Sequence, residues 1–305
     1  MEEENYQSEK VEPGSTGLVI EGGGMRGIYS AGVLDILSEN KVEVDGVVGV
    51  SAGAIHGASY MAHQPGRGAR LYLTFSPSSD FMGIRSWLKT GDFVNYQFAY
   101  LDMSDHLVPY DYDALESSKT AFYTVSTDVE TGKPYYYRTK TIRGDAMLAL
   151  RASASLPFVS KIVEFNGHRL LDGGTSDSIP VEFLRNLGYT RTIVILTQVA
   201  GYRKPPQSMR LFKWMYHAFP EYLDAMQHRH ERYNATLDLI ETLEKSGDIL
   251  VMRPSRKVEI KRLERDPKRI LEMYELGRSD AKNKLQEIIK FLGLEDASIQ
   301  DNSII

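Results

Sequence analysis

The sequence predicts an α/β fold on a mostly parallel sheet, followed by a helical C-terminal extension. Three observations predict it. An apolar stretch, Gly17-Leu18-Val19-Ile20-Glu21, opens into a glycine loop and then a helix whose Ile28, Ala31, Leu34 and Leu37 recur at three-residue spacing. A second apolar run, ending in Val47-Val48, passes through Gly49-Val50-Ser51-Ala52-Gly53 into another helix, Ala54 to roughly Met61. Beyond Gln198 the pattern changes to long, charged, amphipathic helices.

The remaining elements follow in order. Asn40 ends the first helix. Residues 76–118 lose periodicity and become rich in rings (Phe81, Trp87, Phe93, Tyr96, Phe98, Tyr100, Tyr110, Tyr112), a long irregular insertion of the kind that tends to serve function. Ala121 to Asp128 and Pro134 to Arg138 pair around a Thr131-Gly132 turn, and Asp145 to Ala152 is a short helix. Ile162 to Phe165 and His168 to Leu171 form a hairpin through Asn166-Gly167, a type I′ turn signal. After Asp172-Gly173-Gly174 come a helix opening near Pro180 and a buried strand, Thr192 to Leu196. In the C-terminal part, Tyr222, Met226, Tyr233, Leu237 and Ile240 form one apolar stripe. Leu271, Tyr274, Ala281, Leu285, Ile288 and Leu292 form another, and Ile249 to Met252 is a short strand that rejoins the sheet edge.

Composition bounds the function. The chain has 305 residues, enough for one large domain or a core domain with an extension. A net charge of -5 without a basic fold signature argues against a nucleic-acid binder. With no cysteine, disulfides, Cys-ligated zinc and thiol catalysis are excluded. The first residues are acidic (Glu2, Glu3, Glu4, Glu9, Glu12), unlike a signal peptide, and no run approaches the roughly 20 apolar residues that span a bilayer. The expectation is a cytoplasmic protein, with signal-less secretion as the alternative. Nothing in the sequence sets an oligomeric state.

Chemistry concentrates at three places. Gly49-Val50-Ser51-Ala52-Gly53 is a G-x-S-x-G turn between strand and helix, which lifts a serine hydroxyl above a sheet edge; Gly49 and Gly53 allow the close packing that this elbow needs. The glycine loop spells G-x-G-x-x-G at Gly22, Gly24 and Gly27, so a dinucleotide site is one reading of it. That site wants an acid at the far end of the second strand, whereas Glu43 and Asp45 precede the strand and Ser51 stands where ribose would bind. The other reading makes the amides of Gly23 and Gly24 an oxyanion hole, with Arg26 anchoring the loop or attracting an anionic headgroup. A serine nucleophile needs a base. His217, His228 and His230 fall in helical patterns, His56 lies on the elbow helix and His168 beside a hairpin turn, where surface exposure is expected. Asp172 ends an apolar strand, and Gly173-Gly174 leave its carboxylate unobstructed; a partly desolvated aspartate there can take the serine proton directly, making a dyad.

These motifs, Gly22-Gly23-Gly24-Met25-Arg26-Gly27, Gly49-Val50-Ser51-Ala52-Gly53 and Asp172-Gly173-Gly174, resemble in order and placement those of the patatin-like phospholipases. Softer echoes are Thr127-Asp128, Ala152-Ser153-Ala154-Ser155-Leu156-Pro157 and Ser178-Ile179-Pro180, with Ser178 where the family often has asparagine. The likeness spans about residues 17–200. It implies a three-layer α/β/α sandwich and a lipid acyl hydrolase that uses neither metal nor cofactor. Carried over by position, Ser51 is the nucleophile, Asp172 the proton acceptor, and the loop Gly22, Gly23, Gly24, Met25, Arg26, Gly27 forms the oxyanion hole. The organisation expected is an acidic disordered tail at 1–16, a catalytic domain at 17–200 with its insertion at 76–118, and a helical region at 201–305 packed on the core.

Phospholipids or related acyl esters are the expected substrates. A nonenzymatic lipid- or nucleotide-binding module, or a thioesterase, acyltransferase or peptidase with the same nucleophile, are the rival classes. The insertion rings Phe81, Trp87, Phe93 and Phe98 are expected to wall an acyl groove, touch a membrane, or complete the core. Leu211-Phe212-Lys213-Trp214-Met215-Tyr216 is a second membrane-surface candidate, and the basic stretch from Arg253 to Arg269 a site for anionic lipid or a solvated face.

Overall fold

The computed structural model describes residues 11, 12 and 14–294, so the predicted tail at 1–16 lies largely outside the described residues. Eight strands form one sheet: β1 (Thr16–Ile20), β2 (Gly46–Val50), β3 (Ala121–Asp128), β4 (Pro134–Arg138), β5 (Val163–Phe165), β6 (His168–Asp172), β7 (Arg191–Ile195) and β8 (Ile249–Met252). The five strands β3-β2-β1-β7-β8 run parallel, and β4, β5 and β6 add antiparallel pairings, so the sheet is mixed around a parallel centre.

Alternation along the strands builds a core on each face. Leu18 and Ile20 of β1 and Ile193 and Ile195 of β7 face one helical layer: α1 (Ile28–Glu39), α2 (Ala52–Met61), α3 (Arg67–Phe75) and, far down the chain, α11 (Pro267–Leu292). Val19 and Val194 face the other, with α7 (Val181–Leu187) and α10 (Arg229–Ser246). This is a three-layer α/β/α sandwich. The C-terminal helix is integral to it. A Cβ on Gly32 of α1 would stand 2.3 Å from the Tyr274 carbonyl, and one on Gly277 2.2 Å from the Tyr29 carbonyl, so α1 and α11 cross backbone to backbone. Hydrogen bonds from Tyr274 to Asp35 and from Tyr29 to Asp280 tie the same crossing.

Most expected elements form close to their expected bounds. Asn40 caps α1, donating from Nδ2 to the Ile36 carbonyl. Asn166 and Gly167 both take positive φ in the β5–β6 turn, as a type I′ hairpin requires. β8 joins the sheet edge on β7. Three expectations fail. The insertion at 76–118 is largely helical, with α4 (Ile84–Thr90), a π-helix at Gln97–Leu107 and α5 (Tyr112–Ser117). The wide π turn hides from a search at 3.6-residue period. The first C-terminal stripe is split between α9 (Pro220–Gln227) and α10. In α11, Leu271 is exposed and Ile270 and Met273 take the core positions.

Candidate active site

The centre of the site is a junction along one edge of β3. β4 pairs with Tyr123–Thr127 on one side of β3. The opposite side is shared: β2 pairs up to Val50↔Val125, and β6, running the other way, takes over at Asp172↔Ser126. The C-terminal ends of β2 and β6 therefore meet head to head at consecutive positions of β3, a step of about 3.3 Å along the strand. Ser51 leaves one end and Asp172 the other.

Ser51 has φ 56 and ψ -124, a strained conformation for a residue with a side chain. Packing enforces it. A Cβ on Gly49 would stand 2.6 Å from the Gly53 carbonyl oxygen, and one on Gly53 2.4 Å from that of Ile20, so strand and helix meet at van der Waals limits. One side chain locks the junction. Ser153 Oγ accepts from the Ser51 amide at 2.9 Å and donates to the Val125 carbonyl at 2.6 Å. Two residues on, the Ser155 carbonyl accepts from the Asp172 amide at 2.8 Å, so a single segment fixes both residues. Sequence reasoning met Ser153 only as an echo within Ala152 to Pro157; its position at the end of the short helix α6 (Met147–Ser153) gives no local sign of a partner on the elbow. Ser153→Ala is expected to leave two buried backbone groups unpaired, at about 1–3 kcal/mol. A melting temperature lower by several degrees, with reduced turnover, is the check.

Asp172 is buried. Its Oδ1 accepts from the Gly174 amide at 2.8 Å, while Oδ2 has no hydrogen-bond partner among the described residues. Gly173 is required by close approach, since a Cβ there would stand 2.2 Å from the Val125 carbonyl. Thr127 Oγ1 donates to the Asp172 carbonyl at 2.9 Å, and Ser178 Oγ donates to the Gly174 carbonyl at 2.8 Å, so the serine at that departure from the family pattern braces the turn.

Ser51 opens on an apolar cavity. Its walls include Ile55, Leu71, Met147, Leu156 and, from the insertion, Phe81 and Tyr100. Burial first, and then the neighbouring Tyr72, push the Tyr100 phenol up. Phe93 and Phe98 pack against the core, and Trp87 is exposed; the insertion thus supplies cavity wall, core and surface together.

The glycine loop passes beside the elbow, and a Cβ on Gly22 would stand 3.1 Å from that of Ser51. Buried Glu21 holds the loop's start, accepting from Thr197 and from the Tyr233 hydroxyl. The Met25 amide donates to the Arg262 carbonyl at 2.9 Å and the Arg26 amide to the Gly23 carbonyl at 3.3 Å. Both are thereby engaged within the protein. Gly24 has φ 56, and Gly27 packs on Ala52 of the elbow helix.

Four cations gather behind this loop, two of them, Lys204 and Arg229, unforeseen. Arg26 Nε is buried with no hydrogen-bond partner among the described residues. Arg262 borders the cavity next to Gly24, Arg229 Nε donates to the Gly174 carbonyl, and Lys204 Nζ lies 3.9 Å from the Tyr233 ring centre. Burial, then Arg229, with Arg262 and Arg26 adding and Glu21 opposing, pushes the Lys204 ammonium down to about 7. Most of the basic stretch from Arg253 to Arg269 is otherwise spent in ion pairs, such as Arg253–Glu244, Arg256–Glu272 and Arg269–Glu264.

No histidine is among the described residues lining the Ser51 cavity. His56 is fully buried against Tyr72, and burial, then Arg67, pushes its imidazole down to about 3, so it is neutral. His168 is half-buried, bonded to Asp128 at 2.6 Å and packed at a tilt against the Tyr135 ring, contrary to the exposure expected of it. It starts β6, roughly 13 Å along the strand from Asp172. No group of three or more metal-ligating side chains occurs among the described residues, and no helix among them is long and apolar enough to cross a membrane.

The model of the patatin-like phospholipase family matches residues 18–185, and that of a domain of unknown function, DUF6363, matches residues 219–293. The uncharacterized protein YjjU of Escherichia coli is 26% identical over 92% of this chain and 80% of its own length. Lysophospholipase NTE1 of Cryptococcus neoformans is 30% identical over 59% of this chain, and the neuropathy target esterase sws of Drosophila melanogaster is 30% identical over the same share. The chain spans only 11% and 13% of the length of those two larger proteins.

Proposed function

The chain belongs to the patatin-like phospholipase family, and on that premise we propose that it is a serine acyl hydrolase cleaving carboxylic-ester bonds of phosphate-bearing lipids through a Ser51–Asp172 dyad. The observation that carries the proposal is the buried Asp172 Oδ2, an acceptor without a partner among the described residues, at the strand junction from which the Ser51 elbow departs. A buried carboxylate oxygen is costly to leave unbonded, and a serine hydroxyl is the donor that this site can present to it.

In the proposed cycle Asp172 Oδ2 takes the Ser51 proton as Oγ forms a bond to the ester carbonyl carbon. The carbonyl electron pair moves onto oxygen, where amides of the glycine loop receive it; each good donor is worth about 2.7–4 kcal/mol. Since the Met25 and Arg26 amides are engaged, Gly23 and Gly24 are the donors of choice. Collapse breaks the bond to the alcohol, which leaves with the proton from Asp172. Water then repeats the sequence on the acyl-enzyme and frees the acid and Ser51. The apolar cavity supports an acyl chain as its occupant, and the cations behind the loop support an anionic headgroup.

A panel of nitrophenyl esters of increasing chain length, beside phosphatidylglycerol and diacylglycerol, tests the proposal. The wild type is expected to turn over long-chain esters and to prefer the anionic lipid, and Ser51→Ala to turn over none. Faster turnover of acyl thioesters than of any ester would reassign it as a thioesterase.

The cation cluster adds a pH dependence. Below about 7 Lys204 carries its charge before any anion arrives. Above it, binding an anion must draw a proton onto Lys204, so affinity falls as pH rises, by up to tenfold per unit. KM for phosphatidylglycerol is therefore expected to rise between pH 7 and 8, while KM for a neutral ester stays flat and Lys204→Met removes the dependence. Parallel pH profiles for both lipids in wild type and variant would discount the cluster.

A further inference from the structure

The chain contains two tryptophans, and both are exposed, on two short helices that flank one segment. On α4, Ile84, Trp87 and Leu88 are 71%, 45% and 73% exposed. On α8 (Arg210–Met215), Leu211, Trp214 and Met215 are 53%, 71% and 40% exposed. Six of the eight large apolar side chains exposed among the described residues thus lie on these two helices.

Residues 158–161 join the two helices. After α4, the Phe93 amide donates to the Val159 carbonyl at 2.6 Å, and the Lys161 amide to Asp92 Oδ1 at 2.7 Å. From α8, the Phe212 ring meets the Phe158 ring edge-on at 4.3 Å, and the Tyr216 hydroxyl accepts from the Phe158 amide at 3.0 Å. This segment continues directly from Ser153 and Ser155, which hold Ser51 and Asp172, through Leu156 on the cavity wall. Phe81 and Met82, also wall residues, immediately precede α4. Each helix is pinned by little: Ser86 in α4, bonded to the Asp92 carbonyl, and Phe212 in α8.

The charges carried by the two helices have one sign. α4 carries Arg85 and Lys89, α8 carries Arg210 and Lys213, all exposed, and exposed Lys161 lies between. Neither helix contains an acidic residue, and nearby Asp92 is buried in a pair with Arg151. Apolar and indole side chains fringed by cations match the interface of a bilayer with anionic headgroups. We propose that α4 and α8 together dock the protein on an anionic phospholipid surface, with the Ser51 cavity beside the contact. This deepens the hydrolase reading by naming how the site meets its lipid, but the docking is separable from turnover.

Intrinsic tryptophan fluorescence of the full chain carrying Ser51→Ala, which removes turnover, tests it. Vesicles of phosphatidylcholine, with and without phosphatidylglycerol, are the probe. Expected are a blue shift and quenching by brominated acyl chains, stronger with the anionic lipid. The signal persists in Trp87→Phe and in Trp214→Phe, where one indole reports alone. Leu88→Gln and Leu211→Gln should each weaken vesicle partition by about tenfold, and in the Ser51-intact chain should leave hydrolysis of a short soluble ester unchanged. No shift with either vesicle, or quenching of only one indole, overturns the proposal. A blue shift that grows with protein concentration without vesicles also overturns it, in favour of self-association through this face.

Discussion

Asp172→Asn is expected to lower kcat on a soluble ester by about 10² to 10⁴ while leaving the fold intact. The two oxygens of the carboxylate have different surroundings, and this asymmetry is why. The asparagine carbonyl can keep the bond that Oδ1 accepts from the Gly174 amide. The amide nitrogen then replaces Oδ2, the oxygen without a partner among the described residues. A proton acceptor becomes a donor, and the Ser51 hydroxyl loses the group that takes its proton. Volume and turn geometry are unchanged, so the melting temperature should hold. Kinetics and thermal melts on the same preparation check both halves. Full activity in the variant would mean that another group accepts the proton.

The second large effect is at Gly53. A Cβ there would stand 2.4 Å from the Ile20 carbonyl oxygen and 2.9 Å from that of Glu21. Both are backbone atoms of the first strand and its exit, which cannot swing aside as a side-chain end would. Gly53→Ala must therefore push α2 off the sheet, at a cost of about 1–3 kcal/mol or more. Ser51 opens that helix, so the displacement moves the hydroxyl. A misplacement of about 1 Å is enough to lower turnover by about 10². Loss of both stability and activity is expected in thermal melts and ester assays, whereas Ser51→Ala should lose activity alone. An unchanged melt would show that the elbow is held by something other than this contact.

The α/β pattern was legible because it is local. Leu18 and Ile20 against Val19, Ile28 to Leu37, and the paired positive-φ positions Asn166 and Gly167 each declare themselves within a few residues. The approach of β6 to β2 is not local. It depends on β3 lending one edge to both strands, and nothing within Ala121 to Asp128 marks where one partner stops and the other begins. Ser153 and the cations Lys204 and Arg229 escaped for the same reason, since each acquires its role from parts of the chain remote in sequence, as in Arg229 to Gly174. The π-helix at Gln97–Leu107 escaped for a different one: its turn is wider than the period that betrays an α-helix.

Labelling with a fluorophosphonate, followed by mass spectrometry of the modified peptide, bears most directly on the dyad. The prediction is one adduct, on Ser51, absent from Ser51→Ala and formed roughly 10² or more times slower in Asp172→Asn. An adduct on any other residue, or equal labelling rates in wild type and Asp172→Asn, would contradict it.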